Sequence, residues 1–201
     1  MENEYMPRQQ APLSLEFILL GFLEQKPIHG YDLYKQISSF DAISLVWSVK
    51  QSQLYALLER LEEDGLISST LIAGESHPNR KQYHITGIGR QTFYAWRGSP
   101  VQHGRDIRME FLAKVYFALQ AGPEATFDLL EDQRVVCFEW LTEFQNDLMN
   151  SKENQVYERI VYRYRAQQVQ ATIDWLDAIR KEIGSQLQTK HLKEPNIIKE
   201  K

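Results

Sequence analysis

The chain has 201 residues, 43% of them hydrophobic and 25% charged, with 27 acidic against 23 basic side chains and a net charge of −4. That length corresponds to between one and two domains with a real core, and the composition carries no mark of disorder or of a fibrous repeat. The longest apolar stretch, Phe17 to Leu23, is far short of the roughly 20 residues a membrane span requires. The opening Met-Glu-Asn-Glu-Tyr is acidic where a secretory signal is basic, and a single cysteine, Cys137, excludes an internal disulfide framework, so a cytoplasmic protein is expected. The net acidity also argues against a generally basic coat for nucleic acid.

In chain order, Leu15, Ile18, Leu19, Phe22 and Leu23 recur at helical spacing after Pro12 and Ser14, and Pro27 ends that helix. A second helix is expected from about His29 to Phe40, with Leu33, Ile37 and Phe40 inward. Leu54, Leu57, Leu58 and Leu61 mark a third. Ser48-Val-Lys-Gln51 ahead of it fits a capping box, and Asp64-Gly65-Leu66 fits a left-handed C-terminal cap. Leu66 to Ala73 and Lys81 to Thr86 then read as two strands around the turn Gly74-Glu-Ser-His-Pro-Asn79. A fourth helix follows over Gly87 to Arg97. Three short helices and a hairpin make the layout of a winged helix-turn-helix.

Gly98-Ser-Pro-Val-Gln-His-Gly104 reads as a linker, and beyond it helices are expected at about 106–121, 123–150 and 152–187. Pro123 takes the favoured first helical position after Gly122. Val156, Ile160, Tyr164, Ile173, Leu176, Ile179, Ile183 and Leu187 stripe the last helix. Two long aromatic-rich helices make a poor isolated fold but a good pairing surface. The expected class is therefore mainly α: a winged helix-turn-helix over 1–100, a long-helix dimerisation and effector domain over 101–190, and a frayed lysine-rich tail over 191–201.

Across residues 13–97 the chain resembles the PadR family of bacterial transcription regulators. The resemblance rests on Leu19-Leu-Gly21, His29-Gly-Tyr31, Trp47-Ser48, Leu54-Tyr55, the run Leu58-Glu-Arg-Leu-Glu-Glu-Asp-Gly-Leu-Ile67, and Arg80-Lys-Gln-Tyr-His-Ile-Thr86. It implies a dimer that usually represses transcription and releases DNA when a small molecule binds. The C-terminal half resembles the long helical dimerisation domain of larger members in layout more than in residues. Between Trp47 and Leu54 the family commonly has prolines and a glycine; here the segment is Ser-Val-Lys-Gln-Ser-Gln, so the operator of known relatives does not carry over to this chain.

The charge distribution answers the net acidity. Each half of the chain carries a net −2, but segments 42–58 and 76–105 contain no acid and hold six Lys or Arg. The second helix of a helix-turn-helix enters the major groove N-terminus first. Ser48, Lys50, Gln51, Ser52 and Gln53 lie at that end, while Glu59, Glu62, Glu63 and Asp64 crowd the other. Gln51 and Gln53 offer the donor–acceptor pair that suits adenine, and Lys50 suits guanine or a phosphate. The capping box competes for Gln51. Arg80 and Lys81 at the wing are the expected phosphate clamps among the basic residues there, which include Arg90, with Arg97 and Arg105 farther off. By resemblance, Tyr31 and Tyr55 would hydrogen-bond the DNA backbone, or else pack as half-buried core.

Other chemistry is weak. Thr86-Gly-Ile-Gly-Arg-Gln-Thr92 has Thr92 where a dinucleotide fingerprint has its third glycine, and reads as a helix start. His29, His77, His84, His103 and His191 lack zinc-site spacing, so no metal or cofactor is expected. Cys137, between Val136 and Phe138, reads as core. Trp96, Trp140 and Trp175 are most simply dimer core, or alternatively a flat slot for an aromatic effector. The leading reading is a homodimeric regulator on a pseudo-palindromic double-stranded operator, with neither enzymatic chemistry nor membrane contact. The rival is a winged-helix protein–protein adaptor without specific DNA binding.

Overall fold

The computed structural model describes residues 14–38, 45–46, 48–72 and 80–193. In chain order these form α1 (Ser14–Gln25), β1 (Ile28–His29), α2 (Gly30–Ser38), α3 (Gln51–Glu63), β2 (Ile67–Ile72), β3 (Arg80–Ile85) and α4 (Gly87–Arg97). A 3₁₀ turn, Gly104–Asp106, and a π-helical turn, Ile107–Phe111, lead into α5 (Leu112–Ala121), α6 (Pro123–Asn150) and α7 (Val156–Lys193). The class is mainly α with one small antiparallel sheet in the order β1-β3-β2. The expected turn at Gly74–Asn79, together with Phe40 and Trp47, lies outside the described residues, as does the tail from residue 194.

The chain divides into two compact units, residues 1–98 with 105–121 and residues 99–104 with 122–201. In the first unit, α1 is the central strut: Ile18, Leu19 and Leu20 are fully buried, and its partners Leu33, Ile37, Leu54 and Leu58 are too. Burying each such side chain stabilises the fold by about 1.5–3 kcal/mol. Residues 105–121 join this unit, although the sequence reading groups them with the C-terminal helices. The reason is aromatic: Phe117 of α5 packs edge-on against Phe93 (centroids 5.3 Å apart) and against Phe22 (5.7 Å). The expected single helix over 106–121 is also broken at its start by the 3₁₀ and π turns.

The two expected strands pair antiparallel, with Ser69 opposite Tyr83 and Leu71 opposite Lys81. The strand β1 was not expected. It is two residues long, too short to carry an alternation, and pairs Ile28 with Tyr83 and His29 with Gln82. At the end of α3, Gly65 takes φ 69°, and the N–H groups of Gly65 and Leu66 bond Glu62 O and Leu61 O. That is the left-handed cap that the Asp-Gly-Leu run anticipates. Thr86 caps α4 by accepting from the Gly89 N–H at 3.0 Å, consistent with a helix start there.

In the second unit α6 and α7 form an antiparallel pair, tied by Arg134 to Asp177 at 2.8 Å and by Arg180 to Glu131. The last helix starts at Val156 rather than 152 because Gln155 folds back: its side chain accepts the Lys152 N–H and its own N–H bonds Lys152 O. Ile173 and Leu176 are buried within the chain, whereas Val156, Ile160 and Tyr164 are exposed. The buried Gln133 amide grips Val101 on both sides, accepting from its N–H at 2.7 Å and donating to its O at 3.2 Å. The linker segment is thereby fixed to α6. Cys137 is buried beside that amide; burial pushes its thiol up, which fits a core residue.

Candidate nucleic-acid interface

The start of α3 corrects one expectation. Ser48 and Gln51 do not form a capping box. Val49 is buried, Lys50 is extended, and the N-cap position falls on Lys50, whose ammonium cannot accept a hydrogen bond. Among the described residues no side chain caps this helix, so its free N–H groups and the positive end of its dipole are left outward. Gln51 is released from the competing role. Ser48, Lys50, Gln51, Ser52 and Gln53 are all exposed, while Leu54, Leu57, Leu58 and Leu61 turn inward and fix which face of α3 looks out.

The two tyrosines differ. Tyr31 is 59% exposed at the start of α2. Tyr55 is half-buried, with its ring against Gly30, where α2 and α3 approach each other.

The six cations of the acid-free segments are unequal. Arg90 is bound to Glu24 at 2.7 Å, Arg97 lies over the Tyr94 ring at 5.0 Å, and Arg105 faces Asp106 at 3.5 Å. Lys81 pairs with Glu62 at 3.2 Å. Lys50 and Arg80 are exposed and have no ion-pair partner among the described residues. Sequence reasoning missed two features. Glu62, counted as one of several acids at the far end of α3, reaches both wing strands. Lys26, His29 and Lys35 line a groove beside α2 with Asp32, brought together where the chain turns through β1 into α2.

The three tryptophans do not share a unit. Trp96 belongs to the core of the first unit, not to a dimer core: it stacks on Phe17 (5.0 Å, 5° between planes) and donates its N–H to Glu110 at 3.0 Å. Trp140 and Trp175 are half-buried in the second unit. No group of acidic, histidine or cysteine side chains among the described residues is arranged to hold a metal ion. No described helix is long and apolar enough to cross a membrane.

A three-helix core with a two-stranded wing following its third helix defines a winged helix-turn-helix. Residues 19–95 match the family model described as the Transcriptional regulator PadR-like family, and residues 107–184 match that described as Virulence activator alpha C-term. The chain belongs to the PadR-like family of transcriptional regulators. It is 28% identical over 121 residues, 59% of its own length, to the negative transcriptional regulator PadR of Bacillus subtilis. It is 24% identical over 96 residues, 48% of its length, to a probable transcriptional regulator of Mycobacterium tuberculosis. The chain spans 64% and 50% of the lengths of these two relatives. Among solved structures, the Bacillus subtilis PadR complex with operator DNA aligns at TM-score 0.44 and 23% identity, over 86% of this chain and 99% of that one.

Proposed function

We propose that this chain is a homodimeric, cytoplasmic transcriptional repressor that reads a pseudo-palindromic operator in double-stranded DNA. The observation that carries the reading is the start of α3: an uncapped, acid-free helix N-terminus presenting Lys50, Gln51, Ser52 and Gln53 together to solvent. Such a helix end enters the major groove in helix-turn-helix proteins. Gln51 and Gln53 then read base edges, and Lys50 takes a base or a phosphate. Ser48, Tyr31 and Tyr55 hydrogen-bond the backbone, and Arg80 with Lys81 clamps phosphates from the wing. Dimerisation runs through the C-terminal helices. Val156, Ile160 and Tyr164 form an exposed stripe at one-turn spacing on α7, and α6 exposes Val135 and Phe138. An exposed apolar stripe such as the one on α7 is the kind of surface that marks an interaction site. Release by a small aromatic effector would involve Trp140 and Trp175, since Trp96 is committed to the winged-helix core.

Titrating the chain with short duplexes over a range of salt tests this. Arg80→Ala is expected to weaken binding to every duplex and to reduce the salt slope by about one. Gln53→Ala should leave that slope unchanged and relax the preference at one base pair by about 1–3 kcal/mol. Binding that is absent, or indifferent to salt, would favour a protein–protein adaptor instead.

A further inference from the structure

We propose that Glu62 is a latch on the wing: it withholds Lys81 from the DNA backbone unless α3 is seated, and so keeps the protein's hold on non-specific DNA weak. The proposal rests on the DNA-binding reading above. Glu62 stands in the last turn of α3, remote from the base-reading end. Its Oε1 accepts the Ser69 hydroxyl of β2 at 2.6 Å, and its Oε2 faces Lys81 Nζ of β3 at 3.2 Å. One carboxylate is therefore tied to both wing strands. An isolated exposed ion pair contributes little, because two long side chains must be held in one geometry. Here Ser69 does that holding. Its hydroxyl is the first cause keeping the Glu62 carboxyl below its usual range, with Lys81 adding to it.

A phosphate brought to Lys81 meets the Glu62 charge, and a lysine already neutralised by a carboxylate displaces fewer counterions from the DNA. Arg80, one residue earlier, has no such partner among the described residues, so it carries the wing's first phosphate contact. Opening the latch costs free energy. A complex in which α3 is seated holds one phosphate in place beside Lys81 and so favours the open latch, whereas a complex that slides along the backbone holds none there.

Glu62→Gln keeps an acceptor for Ser69 and removes the charge. On a random-sequence duplex this variant is expected to bind a few-fold more tightly at ~50 mM salt, with a slope steeper by about one. A duplex selected for tight binding should gain less, so the specificity ratio shrinks. In a Lys81→Gln background the same substitution should change nothing. Lys81→Gln alone should lower the slope by clearly less than Arg80→Gln does; both alter exposed side chains, so this comparison stands even where Glu62→Gln fails to fold. An unchanged slope in folded Glu62→Gln, a change that persists without Lys81, or equal losses for Lys81→Gln and Arg80→Gln would each overturn the latch. A wild-type chain without salt-dependent binding would overturn the DNA-binding reading itself and the latch with it, before any substitution is made.

Discussion

Gly89→Ala is expected to destabilise the winged-helix unit by about 3 kcal/mol, the upper part of the usual range for an overpacked core. Gly89 is buried in the first turn of α4, and a Cβ there would stand 2.0 Å from the carbonyl oxygen of Leu66 and 2.9 Å from its carbonyl carbon. Backbone cannot swing aside as a long side chain can. The same carbonyl accepts the Thr86 N–H at 3.0 Å and the Thr86 hydroxyl at 3.0 Å, and Thr86 in turn caps the helix through the Gly89 N–H. One methyl group would therefore disturb the entry to β2, the cap of α4 and the packing of the wing's base together. Urea unfolding at neutral pH checks it: the midpoint should fall with the m-value unchanged. Gly87→Ala serves as the control, because a Cβ at that position meets nothing within 4 Å.

Glu110→Gln is expected to cost about 3 kcal/mol at neutral pH, the low end for breaking a buried ion pair by removing one partner. The Lys114 side chain is only 3% exposed, pairs with Glu110 at 3.0 Å and lies 5.3 Å from the centre of the Trp96 ring. Burial pushes the Lys114 ammonium below the usual lysine range, while the Glu110 carboxylate, with help from Asp106, pulls it back up. Because the folded-state value lies below the unfolded one, the unfolded chain binds more protons between the two, and stability rises with pH through that window. Removing the Glu110 charge widens the window. The loss should thus be greatest at neutral pH and shrink as pH rises toward the ordinary lysine range, which unfolding curves at two pH values would show. Glutamine still offers an oxygen to the Trp96 N–H, so a pH-independent loss would point to altered packing instead.

Where the sequence carried a repeated signal, the fold was legible. The leucines of α3 at helical spacing place it and its buried face, Gly65 marks its end, and Thr86 its successor's start. The features that escaped depend on contacts between distant positions. The strand β1 has no pattern of its own and exists because Tyr83 and Gln82 offer an edge. Residues 105–121 look like any other helix, yet Phe117 finds its partners in Phe22 and Phe93. The capping box failed because Val49 is drawn into the core, and the burial of one residue outweighs a local side-chain bond. In the candidate interface, the exposed N-terminal end of α3 was readable from the absence of acid. The inequality of the cations was not, since Glu24 and Glu62 reach Arg90 and Lys81 only through the fold.

The distribution of charge also reconciles a net −4 with a nucleic-acid partner. A weakly acidic protein gains little from long-range attraction to phosphates, and under the proposed reading its selectivity comes from the few side chains at the start of α3 and from the geometry of a dimer. Selecting bound duplexes from a random pool with the full chain tests both at once. The expected result is enrichment of an inverted repeat, with half-sites about 10 base pairs apart or a multiple of that, and loss of preference at one position of each half-site when Gln53 is replaced. A pool that emerges unenriched, or one that yields a single unrepeated site indifferent to Gln53, would contradict it.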